Sequence, residues 1–237
     1  MRVAAVVPAY QAEASVADVV RSLREVWSGL GERDGGVIVV DDGSTDATAE
    51  VARAAGADVV LHQQNRGKGA ALASGFTRAL ELGAQAAVTV DADGQHPASQ
   101  ALLLAEADFP REALLLGVRD LVAAGAPRAN RFSNRFSNVF LSWFSGRRLT
   151  DTQCGLRRYP LPETLALGLH STGYEFESEV ILHTARQGWT IAELPVQVIY
   201  PPEEHRVSHF RVVRDPARIV ARVLWTVASV RRAERAT

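Results

Sequence analysis

The N-terminal part of the chain repeats one unit: a short apolar run, a polar turn, and a segment with apolar residues at helical spacing. The apolar runs cover residues 3–7, 37–40, 59–61 and 87–90. Continuous, β-branched runs of this length are typical of strands buried on both faces. Alternating strands and helices predict parallel strands with right-handed crossovers and helices on both faces. We therefore expect an α/β protein with a mostly parallel central sheet flanked by helices.

The C-terminal part is less regular. Strands are predicted over residues 114–117, 152–159 and 191–200, and helices over residues 129–144, 175–186 and 218–230. The last helix has a favourable start, because Asp215 is a good N-cap and Pro216 suits the first helical position. A chain of 237 residues is long enough for one substantial α/β core, so a single domain is expected.

The composition limits the classes of binding partner and the cellular compartments that suit this protein. The chain has 26 basic and 27 acidic residues, so no charge excess points to nucleic acid. Its single cysteine, Cys154, excludes an intrachain disulfide and is compatible with a reducing cytosol. Pro8 interrupts the first apolar run, which is predicted to be a strand rather than a signal peptide. Without a transmembrane run of about 18 apolar residues, a cytoplasmic protein, peripheral on the inner membrane face, is expected.

Two aspartates one residue apart, Asp91 and Asp93, follow the fourth apolar run. Loops that follow parallel strands meet at one edge of the sheet, where ligands bind. The two carboxylates and the amide oxygen of Gln95 form an incomplete all-oxygen shell, which suits Mg²⁺ or Mn²⁺ completed by water and phosphate. A solvated polar loop is the alternative. The neighbouring His96 is expected to be structural.

Two further turns between strand and helix carry charged residues. Asp41 and Asp42 follow the second apolar run; they either cap the next helix or accept hydrogen bonds from a nucleoside. Lys68 lies in a glycine-rich turn that matches neither a P-loop nor a dinucleotide fingerprint. A lysine beside backbone donors at a helix N-terminus can bind phosphate, and a plain turn is the alternative.

Five motifs occur in an order that resembles the family-2 inverting glycosyltransferases. They are Pro8-Ala9-Tyr10, DDGSTD at residues 41–46, NRGKG at 65–69, DADGQHP at 91–97 and DTQCGLR at 151–157. The set is most similar to the dolichol- and polyprenyl-phosphate mannosyltransferase-like branch. The resemblance implies a single GT-A (Rossmann-like) domain, a nucleotide-diphosphate sugar donor, a divalent metal and a lipid phosphate acceptor.

The resemblance also implies roles for individual residues on the donor side. The nucleotide-sugar-binding set would be Pro8, Tyr10, Asp41, Asp42, Lys68 and Asp91, and the metal set Asp91, Asp93 and Gln95. The usual family start is Pro-Ala-Tyr-Asn-Glu, whereas this chain has Gln11 and Ala12 and places Glu13 one position later. The base of the donor, guanine or uracil, therefore stays open.

On the acceptor side, the resemblance implies that Arg119, Arg131 and Ser137 hold the acceptor phosphate. Arginine suits this task because its planar fork binds phosphate bidentately. Arg128 and Arg135 compete with Arg131 for the role, and surface arginines on an amphipathic helix are the alternative. Together with Asp93 and Asp151, these residues form the predicted catalytic set. Asp151 either removes a proton from a hydroxyl acceptor or only orients the site, because a phosphate acceptor is already ionised.

The implied organisation is a GT-A domain over residues 1–212, with a nucleotide-sugar half at 1–118 and an acceptor half at 119–212. Residues 213–237 are predicted to form a basic amphipathic helix on the membrane surface or packed on the domain. The apolar face of helix 129–144 is predicted to be core, with a lipid-facing role as the alternative. It carries Phe132, Phe136, Val139, Phe140 and Trp143.

These expectations define one enzyme and two alternatives. The chain is predicted to move a hexose from a GDP-mannose or UDP-glucose type of donor to a polyprenyl phosphate or related lipid, with inversion and a divalent metal. The first alternative is transfer to a hydroxyl of another lipid or pigment-like acceptor. The second is a non-catalytic nucleotide-sugar-binding membrane scaffold.

Overall fold

The computed structural model describes residues 1–199, which form one α/β domain. The strands are β1 Val3–Ala9, β2 Asp34–Asp41, β3 Asp58–Leu61, β4 Ala86–Thr89, β5 Leu114–Arg119, β6 Arg157–Pro160 and β7 Ile191–Val196. The helices are α1 Val16–Ser28, α2 Thr48–Ala54, α3 Lys68–Glu81, α4 Ala98–Glu106, α5 Arg128–Ser145 and α6 Glu175–Arg186. Short 3₁₀ turns cover Gly31–Arg33 and Leu165–Leu167. The predicted strands and helices up to residue 196 are therefore present.

The seven strands form one sheet in the order β3-β2-β1-β4-β6-β5-β7. Strands β1 to β4 are parallel to one another, and β7 is parallel to β5. Only β6 runs antiparallel, and it pairs with β4 on one side and β5 on the other. The predicted mostly parallel sheet is confirmed. The direction of β6 was not predicted, because antiparallel pairing here depends on contacts distant in sequence.

Each face of the sheet has its own apolar core. Helices α1, α2 and α4 cover one face, and α3, α5 and α6 cover the other. On the first face Trp27 is almost fully buried, and its indole N–H donates a 2.9 Å hydrogen bond to the carbonyl of Val3. On the second face Phe76 packs against Tyr159, with ring centroids 4.8 Å apart. Buried aromatic side chains thus fix helices to both faces of the sheet.

Several predicted boundaries were wrong; β2 begins at Asp34 instead of residue 37, and β7 ends at Val196 instead of residue 200. Helix α2 begins at Thr48 instead of residue 45, because Asp41 and Asp46 accept hydrogen bonds from backbone N–H groups of residues 44 and 48 and hold the intervening residues as a loop. Strand β6 begins at Arg157 instead of residue 152, because the preceding residues form a loop. The predicted helix at 218–230 and the segment 213–237 lie outside the described residues.

The prediction that the aromatic face of α5 belongs to the core was also wrong. Phe132, Phe136, Val139 and Trp143 are exposed, and only Phe140 of that predicted set packs partly against the core. The buried positions of the helix are Asn134, Ser137 and Leu141. Hydrogen bonds to the neighbouring loop 150–153 fix this orientation, since Ser137 Oγ lies 2.8 Å from Thr152 Oγ1.

Between residues 1 and 199, we find no helix with both the length and the apolar character needed to cross a membrane.

Candidate active site

The carboxyl ends of β2, β4 and β5 bring most of the predicted site residues to one edge of the sheet. Asp41 ends β2, Asp91 follows β4, and Arg119 ends β5. Lys68, the first residue of α3, reaches Asp91. Asp151, from the loop before β6, reaches Arg119. The α/β topology therefore brings acidic and basic side chains from distant parts of the chain into one site.

A largely buried lysine joins two acids at the centre of this edge. Lys68 Nζ lies 2.7 Å from Asp91 Oδ1 and 3.3 Å from Glu177 Oε1. Burial disfavours the charged ammonium, but the charges of Asp91 and Glu177 outweigh it and hold the pKa of Lys68 above its ordinary value. The Lys68 ammonium also lies 5.7 Å from the ring centroid of Tyr174. Lys68 is therefore positively charged at neutral pH.

The two aspartates of the loop after β4 have different environments. Burial raises the pKa of Asp91, but the Lys68 charge and other nearby cations outweigh it, so the pKa lies below its ordinary value. Asp93 is more exposed, yet partial desolvation and the charge of Asp91 raise its pKa to about 6. Asp93 also accepts a 3.0 Å hydrogen bond from the Gln95 backbone N–H. Two crowded carboxylates of this kind favour a bound cation.

Gly155 packs closely against the Asp91 carboxylate, which leaves no room for a side chain at position 155. A Cβ atom at this position would lie 2.4 Å from Asp91 Oδ2. Thr89 Oγ1 donates a 2.6 Å hydrogen bond to the Gly155 carbonyl, which holds the glycine beside the end of β4. The sequence analysis assigned no role to Gly155. Its position inside the DTQCGLR motif was the only signal available.

Asp42 anchors the turn that leads into α3. Its carboxylate accepts backbone hydrogen bonds from Arg66 at 2.9 Å and Gly67 at 2.7 Å. The same carboxylate lies 2.6 Å from Nδ1 of His62. Asp42 is buried, and its contacts hold the Lys68 turn in place. Binding of a nucleoside by Asp42 stays a prediction.

The other residues of the predicted nucleotide-sugar set lie close by in the chain. Asp41 is buried and accepts a 2.9 Å hydrogen bond from the Ser44 N–H. Pro8 is half-buried within β1, and Tyr10 is exposed just beyond it. The strand pairing places Pro8 beside Val40 and brings the ends of β1 and β2 together. The loop after β1 thus reaches the same edge of the sheet as Asp41 and Asp42.

Arg119 and Asp151 form a buried bidentate ion pair. The distances are 2.7 Å from Nε to Oδ2 and 3.0 Å from Nη2 to Oδ1, and the Arg119 backbone N–H donates to Oδ2 at 3.1 Å. The Asp151 side chain is 1% exposed and that of Arg119 is 13% exposed. Such a pair is rigid, because both partners would lose their counter-charge if they separated. Asp151 therefore orients Arg119 in this structure.

The two predicted residues of α5 differ in accessibility. Arg131 is partly exposed, whereas Ser137 is buried and faces Thr152. Because Thr152 is adjacent to Asp151, the structure does bring Ser137 to the Arg119 side of the site. The Ser137 hydroxyl is engaged with Thr152, so direct contact with an acceptor phosphate stays a prediction.

Arg157 and Glu177 are site residues that the sequence analysis missed. The fully buried Arg157 donates hydrogen bonds to the carbonyls of Cys154 at 2.8 Å, Glu177 at 2.9 Å and Thr152 at 2.7 Å. It thereby ties the loop before β6 to helix α6. Glu177 adds the second acid beside Lys68. A basic residue inside the DTQCGLR motif was a signal for the first, but no local pattern pointed to the second.

A structural role for His96 stays a prediction. The side chain is buried, and desolvation lowers its pKa to about 4, so the ring is neutral at neutral pH. Within residues 1–199, no group of three or more His, Cys, Asp or Glu side chains is arranged to hold a metal ion. The predicted metal set has a different composition, since it combines two carboxylates with one amide.

Comparison with known proteins identifies relatives of this chain. The family model described as "Glycosyl transferase family 2" matches residues 4–162. The undecaprenyl-phosphate mannosyltransferase of Micrococcus luteus is 31% identical over 210 residues, covering 84% of each chain. The UDP-N-acetylglucosamine–dolichyl-phosphate N-acetylglucosaminyltransferase of Methanococcus voltae is 28% identical over 218 residues, covering 82% of this chain and 84% of the relative.

Solved structures show the same fold. The chain superimposes on glucosyl-3-phosphoglycerate synthase from Mycobacterium tuberculosis, solved in complex with Mn²⁺, UDP and phosphoglyceric acid, with a TM-score of 0.69. The two sequences are 20% identical, and the match covers 96% of this chain and 78% of that one. The predicted GT-A architecture is therefore confirmed.

Proposed function

Because this chain belongs to glycosyl transferase family 2 and is a glycosyltransferase, we propose that it moves a hexose from a nucleotide-diphosphate sugar to a polyprenyl phosphate. One observation carries the proposal: the Lys68–Asp91 pair and Asp93 lie at the same sheet edge as the bidentate Arg119–Asp151 pair. The first group suits a diphosphate with a cation, and the second suits an anionic acceptor.

The relatives favour a lipid phosphate as the acceptor. The names of the Micrococcus luteus and Methanococcus voltae enzymes specify undecaprenyl phosphate and dolichyl phosphate, respectively. The sugars in those names differ, so they do not assign a sugar to this chain. We therefore propose the acceptor class and leave both the sugar and the base of the donor open.

The donor side fits a divalent cation. Among the described residues, Asp91 contacts a lysine, whereas Asp93 has no direct cationic partner, and its pKa is raised to about 6. A cation would relieve the repulsion between the two carboxylates. Asp91, Asp93 and Gln95 would hold Mg²⁺ or Mn²⁺, which when bound supplies positive charge to the departing diphosphate.

The protein side chains would bind and orient the two substrates. The charged Lys68 would contact the diphosphate. If Asp91 bound a cation instead of Lys68, Glu177 would still hold the Lys68 ammonium in place. Arg119, oriented by Asp151, would bind the acceptor phosphate together with Arg131. A phosphate oxygen is already ionised near neutral pH and needs no general base, so a buried Asp151 that only orients Arg119 is sufficient. In-line attack on the anomeric carbon then inverts its configuration.

The direct test pairs several nucleotide sugars, including GDP-mannose and UDP-glucose, with a polyprenyl phosphate. The matching polyprenol, which lacks the phosphate, serves as the control acceptor, and each reaction runs with Mn²⁺ or with a chelator. We expect one donor to give a glycosylated lipid phosphate, detected by mass, only with metal. Transfer to the polyprenol alone would instead support a hydroxyl acceptor with Asp151 as base. Donor binding without transfer to any acceptor would support a non-catalytic scaffold.

Gly155→Ala should reduce transfer by about 10- to 100-fold, because a displacement of about 1 Å at a reacting centre can have that effect. The added methyl group cannot fit beside Asp91, so this carboxylate must move. Steady-state rates and Mn²⁺ affinity measure the change. Gly29→Ala is the matched control, because its nearest contact is a backbone oxygen at 3.3 Å and it lies far from the site in α1's C-cap. Equal rates for the two variants would contradict the proposed role of Asp91.

A further inference from the structure

Helix α5 presents a continuous apolar stripe on its outer side. Phe132, Phe136, Val139 and Trp143 recur at helical spacing and are 76%, 50%, 66% and 79% exposed. Large apolar side chains are normally scattered on a protein surface, and four on one stripe mark an interaction site. We call these four residues the α5 stripe.

The exposed orientation of the stripe is fixed by the opposite side of the helix. Leu141 is fully buried in the core, and Phe140 and Phe144 pack partly against it. The rings of Phe136 and Phe140 stack with centroids 6.1 Å apart, and those of Trp143 and Phe144 lie 5.0 Å apart. Turning the stripe inward would break these contacts as well as the Ser137–Thr152 hydrogen bond. The stripe is therefore a stable surface of the folded domain.

The segment that carries the stripe has charged residues of one sign only. Residues 121–150 contain five arginines and no aspartate or glutamate, although the whole chain has a net charge of -1. The arginines are Arg128, Arg131, Arg135, Arg147 and Arg148. An apolar stripe on a segment whose charged residues are all arginines complements an anionic lipid surface, where aromatic rings enter the headgroup region and arginines remain beside the phosphates. A protein partner would require an acidic surface of matching shape, for which nothing in the structure argues.

We propose that the α5 stripe and its five arginines dock the enzyme on an anionic lipid bilayer. The inference rests on the proposed function in one respect: it identifies the surface that would bring the site to a lipid acceptor. The inner side of the same helix carries Ser137, which contacts Thr152 next to the Arg119–Asp151 pair. One helix thus connects the bilayer surface to the acceptor side of the site.

Vesicle binding of the full chain tests this surface without requiring transfer. Phosphatidylcholine vesicles with and without phosphatidylglycerol are sedimented with wild type, with Phe132→Ser/Trp143→Ser, and with Leu61→Ser/Leu103→Ser. The last variant is the control, because its two leucines are exposed elsewhere in β3 and α4. We expect the partition coefficient of the stripe variant for anionic vesicles to be about tenfold or more below that of wild type. The control variant should bind as wild type does. Added salt should weaken wild-type binding, because arginine–phospholipid attraction is screened.

A separate measurement keeps this inference distinct from the proposed function. Transfer to a short-chain, water-soluble polyprenyl phosphate should be unchanged in the stripe variant, whereas transfer to a long-chain acceptor in vesicles should fall. Stripe-dependent vesicle binding without transfer to any acceptor would support the docking surface and reject the proposed function. Equal binding by wild type and the stripe variant would overturn the inference. Failure of the wild type to bind anionic vesicles would also overturn the inference. The stripe would then be a contact surface for residues 200–237 or for a second copy of the chain.

Discussion

Asp93→Asn is expected to reduce transfer by about 1,000-fold or more, because the proposed cation and the leaving diphosphate lose several kcal/mol of charge stabilisation. The substitution keeps the shape of the side chain, so the loop after β4 should fold as before. Steady-state rates at saturating Mn²⁺ measure the catalytic effect, and Mn²⁺ binding is measured separately by electron paramagnetic resonance. Asp18→Asn is the matched control, since Asp18 is an exposed acid in a surface ion pair on α1.

The raised pKa of Asp93 adds a pH dependence to this expectation. With a pKa of about 6, the carboxyl group is largely protonated below pH 6, and a proton then competes with the cation. Mn²⁺ affinity in the wild type should therefore fall as the pH decreases through about 6, and it should change less in Asp93→Asn. If Asp93→Asn retained full transfer activity in the presence of a chelator, the proposed metal role would be wrong.

The second large effect is expected at the Arg119–Asp151 pair. Arg119→Ala leaves the Asp151 carboxylate buried without its counter-charge, which typically costs about 3–5 kcal/mol in the free energy of unfolding. It also removes the planar fork proposed to bind the acceptor phosphate, so the acceptor KM should rise. Denaturant unfolding measures the first effect and initial rates over a range of acceptor concentrations measure the second.

A double variant separates these two effects. Arg119→Leu/Asp151→Leu removes both charges, and apolar replacement of a buried pair is often nearly neutral for stability. We expect this variant to be more stable than Arg119→Ala and to keep the raised acceptor KM. Arg119→Lys offers a finer comparison, since it preserves the charge and loses bidentate geometry. A normal acceptor KM in the double variant would show that Arg119 acts only in folding.

Local patterns predicted the strands and the edge of the sheet at which the charged loops meet, for physical reasons. The first four strands are short, continuous apolar runs, and each is followed by a polar turn whose position sets the site edge. Asp91 and Lys68 could therefore be placed together before their contact was known. The sequence could not reveal that Glu177 completes this cluster, because the contact depends on how α6 packs across the sheet.

The orientation of α5 shows a second limit. Periodicity identifies an apolar stripe on a helix but does not say whether that stripe faces the core or another partner. Here a single leucine, Leu141, together with small polar residues that hydrogen-bond to loop 150–153, fixes the buried side. The direction of β6 could not be predicted from the sequence for a related reason. The residues of a four-residue strand do not show whether it pairs parallel or antiparallel with its neighbours.

Strand β6 has a consequence for how substrates enter. It is hydrogen-bonded to β4, which precedes Asp91, and to β5, which ends at Arg119. The residues proposed for the donor and the acceptor are therefore carried by neighbouring strands of one uninterrupted sheet. We expect the distance between the two sets to stay nearly constant through the catalytic cycle, so that admission and release depend on side chains and loops rather than on opening and closing of two lobes.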